Sequence, residues 1–141
     1  MEEVSVSPSI QRIILDITKM KTVFITVVAM AITIVFGYDE IFDKVDVDKI
    51  INDDSLFTGY IDCMLEKGPC TLEHSEEFKK LLPEVIATAC AKCSPIQRQH
   101  VRKTVKALSE KKPDDFKIFR SRFDPKGEYE AAFTAFLVGT D

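Results

Sequence analysis

The chain has 141 residues and a mass of 16.0 kDa, which fits one domain of ordinary size and leaves no room for an enzyme with a separate cofactor domain. Hydrophobic residues make up 45% and charged residues 30%, with only 5 Gly and 6 Pro, so a disordered or collagen-like chain is excluded. With 19 basic against 23 acidic residues the net charge is -4, which has the wrong sign for a partner bound through nucleic-acid phosphates.

The N-terminal segment has the order of a secretory signal peptide. Lys19 and Lys21 precede an apolar run over residues 23–36, and the small residue Gly37 follows that run. The run is shorter than the roughly 20 residues that span a bilayer. We therefore predict a signal peptide over residues 1–37, in which residues 1–19 are an N-terminal extension to which we assign no structure. The alternative is a signal anchor or a buried hydrophobic helix.

Cleavage after Gly37 would leave residues 38–141 as a secreted, extracellular domain without stable membrane insertion. In this part apolar residues recur at spacings of 3 and 4, with no clean strand alternation, so the pattern predicts an all-α domain of about six short helices. The first predicted helix lies near residues 47–51, and the second is capped by Asp54-Ser55 and stopped by Gly68-Pro69. A third starts at Ser75 and must be kinked or split by Pro83, a fourth starts at Ser94-Pro95 and a fifth at Pro113. After a turn at residues 124–127, the last helix carries Tyr129, Phe133 and Phe136.

Four cysteines, Cys63, Cys70, Cys90 and Cys93, are separated by 6, 19 and 2 residues. Three pairings are possible in principle. Cys90 and Cys93 are one helical turn apart, with Cα atoms about 5 Å from each other, and Cys70 lies just beyond the predicted end of the helix that holds Cys63. Nearest-neighbour pairing is therefore preferred, and disulfides indicate an oxidising compartment.

Two other uses of these cysteines are weaker. A thioredoxin-like redox motif at residues 90–93 needs a strand before its helix, and the pattern contains none. A four-thiolate zinc site prefers two close pairs spaced by about 2 to 4 residues, and the interval from Cys63 to Cys70 is too long. We expect no metal and no cofactor.

Four short motifs follow one another along the chain: YIDCMLEKGPCT over residues 60–71, LPE over 82–84, CAKC over 90–93 and FDPKGEY over 123–129. Together they make the chain resemble the insect chemosensory proteins over nearly all of residues 38–141. The resemblance implies a six-helix soluble carrier with two nearest-neighbour disulfides and an internal hydrophobic channel for fatty-acid-like, pheromone-like or odorant ligands. It implies no catalysis, and we expect a monomer.

The chain departs from the family pattern at three points. Cys70 and Cys90 are separated by 19 residues where the family often has 18, which indicates a one-residue loop insertion. Phe116 replaces a frequent Trp and Phe123 replaces the usual Tyr, and both changes remove a polar group from the implied channel wall. Tyr60 matches the family's channel tyrosine, and we hypothesise that a ligand head group is the hydrogen-bond partner of its hydroxyl.

The candidate ligand-binding residues come from the apolar helix faces together with Tyr60. They are Ile50, Leu56, Tyr60, Val85, Ile86, Val101, Val105, Phe116, Phe119 and Phe123. Each of them could equally be ordinary core. No catalytic residue is predicted, because neither His74 nor His100 has a Ser, Cys or carboxylate at a recognisable motif spacing.

The predicted function is that of a secreted, non-catalytic carrier of small hydrophobic ligands. The alternative is a secreted signalling or interaction protein with a packed core and no ligand channel.

Overall fold

The computed structural model describes residues 7–30 and 37–140. The chain divides into two compact units, Met1–Val35 and Phe36–Asp141. The first unit contains helix α1, Pro8–Met30. The sequence pattern had left residues 1–19 without structure, and the structure differs from residue 8 onward, because Pro8 suits a first helical position and isoleucines follow at helical spacing. Residues 31–36 of the apolar run lie outside the described residues.

Within the described ranges, no helix combines the length and the apolar character that crossing a membrane requires.

The second unit is built only from helices in the part of the chain that the structure describes, which confirms the all-α prediction. A 3-10 helix, Glu40–Lys44, comes first. It is followed by α2 (Val47–Asn52), α3 (Asp54–Met64), α4 (Ser75–Ala87), α5 (Pro95–Lys111), α6 (Pro113–Phe123) and α7 (Glu130–Val138).

The helix ends follow local side-chain chemistry. Asp53, one residue before the predicted cap, accepts hydrogen bonds from the amides at the start of α3. That helix ends at Met64, four residues before Gly68, because Glu66 turns into the left-handed region with φ 57°. α4 continues through Pro83 as one helix rather than splitting there. The predicted Ser94-Pro95 start of α5 is confirmed.

The two predicted disulfides are present, Cys63–Cys70 with a Cα separation of 4.9 Å and Cys90–Cys93 with 5.2 Å. The first joins the end of α3 to the loop that leads into α4. The second closes the connection between α4 and α5. Both bridges therefore fix the turns between consecutive helices, as expected from the short loops that they close.

α5 is the central helix, because it packs against α2, α6, α7 and the 3-10 helix. The core consists of buried apolar side chains of α3 to α7 and their connections: Phe57, Ile61, Leu65, Val85, Ile86, Val105, Leu108, Phe119, Phe133 and Phe136 are its larger members. α7 is additionally held by Arg98 and Arg102, whose guanidinium carbons lie 5.0 and 4.6 Å from the ring centre of Phe136.

The turn between α6 and α7 requires one glycine. Gly127 has φ +68°, and an added Cβ would meet only Glu130 Oε2, at 3.7 Å. Gly127→Ala should therefore lower the free energy of unfolding by about 1 kcal/mol through backbone strain alone. Urea denaturation of the two proteins measures this difference. A loss below about 0.3 kcal/mol would contradict the assignment of strain to this position.

Candidate functional site

A partly open cavity of about 150 Å³ lies in the second unit, lined by the 3-10 helix and by α2 to α7. Its wall is overwhelmingly apolar and is formed largely by side chains that also belong to the core. Polar side chains reach it at five positions, which are Tyr38, Tyr60, Gln97, His100 and Thr104. The site is thus a partly open apolar cavity with a few polar side chains in its wall.

Six of the ten candidate ligand-binding residues line this cavity: Ile50, Tyr60, Val85, Val101, Val105 and Phe119. They come from five different helices, and the fold brings them together although they are far apart in sequence. That a ligand contacts them stays a prediction.

The other four candidates, Leu56, Ile86, Phe116 and Phe123, are not part of this wall. On α3 the lining positions are Phe57, Tyr60, Ile61 and Met64, one helical stripe that does not include the half-buried Leu56. Ile86 is buried in the core, and Phe116 stacks on Phe119 with ring centres 6.4 Å apart.

The sequence reasoning missed an aromatic group in the wall. Phe42 and Phe78 have ring centres 5.2 Å apart, and Phe78 lies 6.2 Å from Tyr60. Phe78 belongs to the apolar stripe of α4, so periodicity could have included it. Phe42 had no such signal, because a 3-10 helix of five residues is too short to produce a periodic pattern.

The hydroxyl of Tyr60 already has a partner within the protein. It donates a hydrogen bond to the backbone carbonyl of Glu73 at 2.7 Å. Burial, with a smaller contribution from the Glu73 carboxylate, raises the pKa of this phenol. The structure thus gives the proton of this hydroxyl a partner within the protein. Contact of the Tyr60 hydroxyl with a ligand head group stays a prediction.

Tyr38 is a second, half-buried phenol that the sequence reasoning did not select. Its hydroxyl donates to Glu84 Oε2 at 2.9 Å, and Lys92 Nζ donates to Glu84 Oε1 at 2.5 Å. The hydrogen bonds from Lys92 and Tyr38 lower the pKa of Glu84, while burial and the neighbouring carboxylate raise the pKa of Tyr38. The Tyr38 amide also donates to the Lys92 carbonyl at 3.3 Å, so the start of the domain is fixed against the α4–α5 connection.

α5 supplies the remaining polar side chains of the wall. Gln97 accepts from the Ser94 amide at 3.1 Å and donates to the Asp39 carbonyl at 3.0 Å. His100 Nδ1 bonds the Phe42 carbonyl at 3.2 Å. These contacts hold the segment around the 3-10 helix over one side of the cavity.

A second hollow, of about 380 Å³, opens beside the first and is lined by Met64, Glu66, Lys79, Pro83, Arg122 and Phe123. Glu66 pairs with Lys79 at 3.2 Å and with Arg122 at 3.0 Å, and these cations lower its pKa. Met64 belongs to the lining of both hollows.

The described residues contain no group of three or more His, Cys, Asp or Glu side chains placed to hold a metal ion.

Comparison with known proteins decides the family. The model of the insect pheromone-binding family A10/OS-D matches residues 38–131. The chain belongs to this family, that of the insect chemosensory proteins.

Two relatives come from Drosophila melanogaster. Ejaculatory bulb-specific protein 3 is 38% identical over 70% of this chain and 77% of its own length. The putative odorant-binding protein A10 is 36% identical over 69% of this chain, and the match spans 62% of that relative.

Two solved chemosensory proteins have the same fold. One, in complex with bromo-dodecanol, has a TM-score of 0.63 at 22% identity and covers 70% of this chain and 98% of its own. The antennal chemosensory protein A6 of the moth Mamestra brassicae has a TM-score of 0.57 at 22% identity, over 71% of this chain and 92% of its own.

Because the Tyr60 hydroxyl bonds a backbone carbonyl, its removal should act on stability. Tyr60→Phe should lower the free energy of unfolding by about 0.5 to 1.5 kcal/mol, since the Glu73 carbonyl loses its donor. Chemical denaturation measures that loss, and dye displacement should give the same change in affinity for an alcohol ligand and for its methyl ether. A loss confined to the alcohol would restore Tyr60 as a head-group contact.

Proposed function

We propose that this protein is a secreted, non-catalytic carrier that holds a small hydrophobic molecule in the cavity among its helices. The observation that carries the proposal is the wall itself, which gathers apolar side chains from every helix of the second unit around an internal space. An apolar cavity with a few polar groups at its margin is the usual form of a site for hydrophobic ligands. Fatty-acid-like, pheromone-like and odorant molecules have the matching chemistry.

Family membership supports the same function. The family is described as pheromone-binding, and a protein of the same fold was solved with bromo-dodecanol, a long-chain alcohol. That ligand consists of an apolar chain and one polar group. The cavity of this chain offers the same combination of a long apolar wall and a small number of polar atoms.

The cavity of about 150 Å³ is smaller than the roughly 300 Å³ at which sites for drug-sized ligands begin, so a long acyl chain must enlarge it. We propose Met64 as the side chain that moves, because it lines both the cavity and the second hollow. Methionine is unbranched with three rotatable bonds, and it adapts to irregular spaces at low cost. Its movement would join the two hollows and admit a longer ligand.

We further propose that residues 1–37 are removed on secretion and that the mature carrier is a monomer. The family match beginning at residue 38 supports this boundary, as does the compact unit that begins at Phe36. The two disulfides agree with an extracellular location.

Dye displacement tests the carrier function directly. The oxidised domain of residues 38–141 should bind N-phenyl-1-naphthylamine reversibly and release it to long-chain alcohols. Val101→Phe places a larger ring in the wall and should weaken dye binding about tenfold, because the added atoms occupy the space of the ligand. Binding is measured by the rise in dye fluorescence.

The matched control is Val138→Phe, at an end position that is 76% exposed, which should leave dye affinity unchanged. Circular dichroism verifies that both variants fold. A folded wild-type domain that binds no dye would favour the competing function, a signalling or interaction protein whose apolar residues serve only as core. Equal effects of the two substitutions would place the dye outside the cavity.

Expression of the full chain in insect cells tests secretion. The protein recovered from the medium should begin at Tyr38, with an intact mass about 4 Da below that of its reduced form, one hydrogen per cysteine. Mass spectrometry before and after reduction gives both values. A chain retained in the cell with its first 37 residues would contradict the proposed processing.

A further inference from the structure

Some polar side chains around the cavity already form hydrogen bonds within the protein through their donor and acceptor atoms, and others have atoms left without such bonds. The hydroxyl protons of Tyr38 and Tyr60 are donated to Glu84 and to the Glu73 carbonyl. The amide of Gln97 accepts through its oxygen and donates through its nitrogen. The two remaining polar side chains of the wall, His100 and Thr104, both belong to α5.

The hydrogen bond of His100 fixes its tautomer. Nδ1 lies 3.2 Å from the Phe42 carbonyl oxygen, and a carbonyl oxygen can only accept. Nδ1 therefore carries the proton, and in the neutral ring Nε2 is left as an acceptor with a free lone pair. Among the described residues no hydrogen bond uses this Nε2 atom.

Thr104 lies one helical turn after His100. Side chains four residues apart on a helix are neighbours, with Cβ atoms about 5 to 6 Å from each other. Both residues are half-buried and line the cavity, beside the apolar pair Val101 and Val105 of the same helix face. The Thr104 hydroxyl makes no hydrogen bond to any residue that the structure describes, so it is available both as donor and as acceptor.

We propose that His100 and Thr104 form a head-group subsite that selects primary alcohols among the ligands of the cavity, an inference that rests on the proposed carrier function. An alcohol hydroxyl donates to His100 Nε2 and accepts from the Thr104 hydroxyl, so it satisfies both groups. An ether or aldehyde oxygen can only accept, and it leaves Nε2 without a partner.

Displacement of N-phenyl-1-naphthylamine at pH 8 by 1-dodecanol, dodecyl methyl ether and 1-chlorododecane tests this subsite. Wild-type protein should bind the alcohol more tightly than the ether, and the ether more tightly than the chloride. Thr104→Val removes the hydroxyl at constant shape. His100→Asn keeps an amide N–H where Nδ1 donates to Phe42 and removes the group at Nε2.

Each variant should weaken 1-dodecanol binding by roughly three- to tenfold and change 1-chlorododecane binding by less than about twofold. The double variant should lose less than the product of the two single effects, because both residues hold one hydroxyl group. Thr134→Val, at an exposed position of α7 outside the cavity, is the matched control and should change neither affinity. Melting curves establish that all variants are folded.

Equal losses for the alcohol and the chloride would show damage to the wall and overturn the subsite, and so would unchanged alcohol binding in folded variants. A wild-type protein that binds all three ligands equally would overturn it as well while leaving the carrier function intact. Failure of the wild-type protein to bind the dye at all would instead overturn the proposed function, and the subsite with it.

Discussion

The buried side-chain amide of Gln97 joins three parts of this molecule. With Ser94 it completes the capping box at the start of α5, which satisfies amides that the first helical turn would otherwise leave unpaired. Its nitrogen reaches across to the Asp39 carbonyl and so holds the segment before the 3-10 helix. The residue is only 6% exposed, and it also lines the cavity. Gln97 therefore contributes at once to the start of the central helix, to the position of the covering segment and to the cavity wall.

Much of the fold could be predicted because its signals are local. The Ser94-Pro95 start of α5 follows from two adjacent residues. The pairing of Cys90 with Cys93 follows from their short separation, although both lie in the connection between α4 and α5 and not on a helix. The end of α3 could not be located in the same way. The Gly68-Pro69 pair predicts a later helix end, but α3 ends at Met64 because Glu66 adopts a left-handed conformation. Glutamate rarely adopts this conformation, so the sequence does not predict it.

The site was harder to predict than the fold, because periodicity identifies which face of a helix is apolar but does not distinguish a cavity wall from solid core. Val105 and Ile86 satisfy the same rule, yet one lines the cavity and the other is packed away from it. His100 and Thr104 were missed for a related reason. These two residues were selected because His100 Nε2 and the Thr104 hydroxyl have no hydrogen-bond partner among the described residues, and only the hydrogen bonds of the folded chain show this.

The disulfides have a mechanical consequence for a carrier. Each closes a short stretch of chain, from Cys63 to Cys70 and from Cys90 to Cys93, so neither links helices that are distant in sequence. The disulfides constrain the α3–α4 and α4–α5 connections, whereas the contacts across the cavity consist of apolar packing and hydrogen bonds. Helices of such a molecule can separate slightly while every covalent constraint stays intact. An adjustment of the cavity to ligands of different length would therefore break no covalent bond.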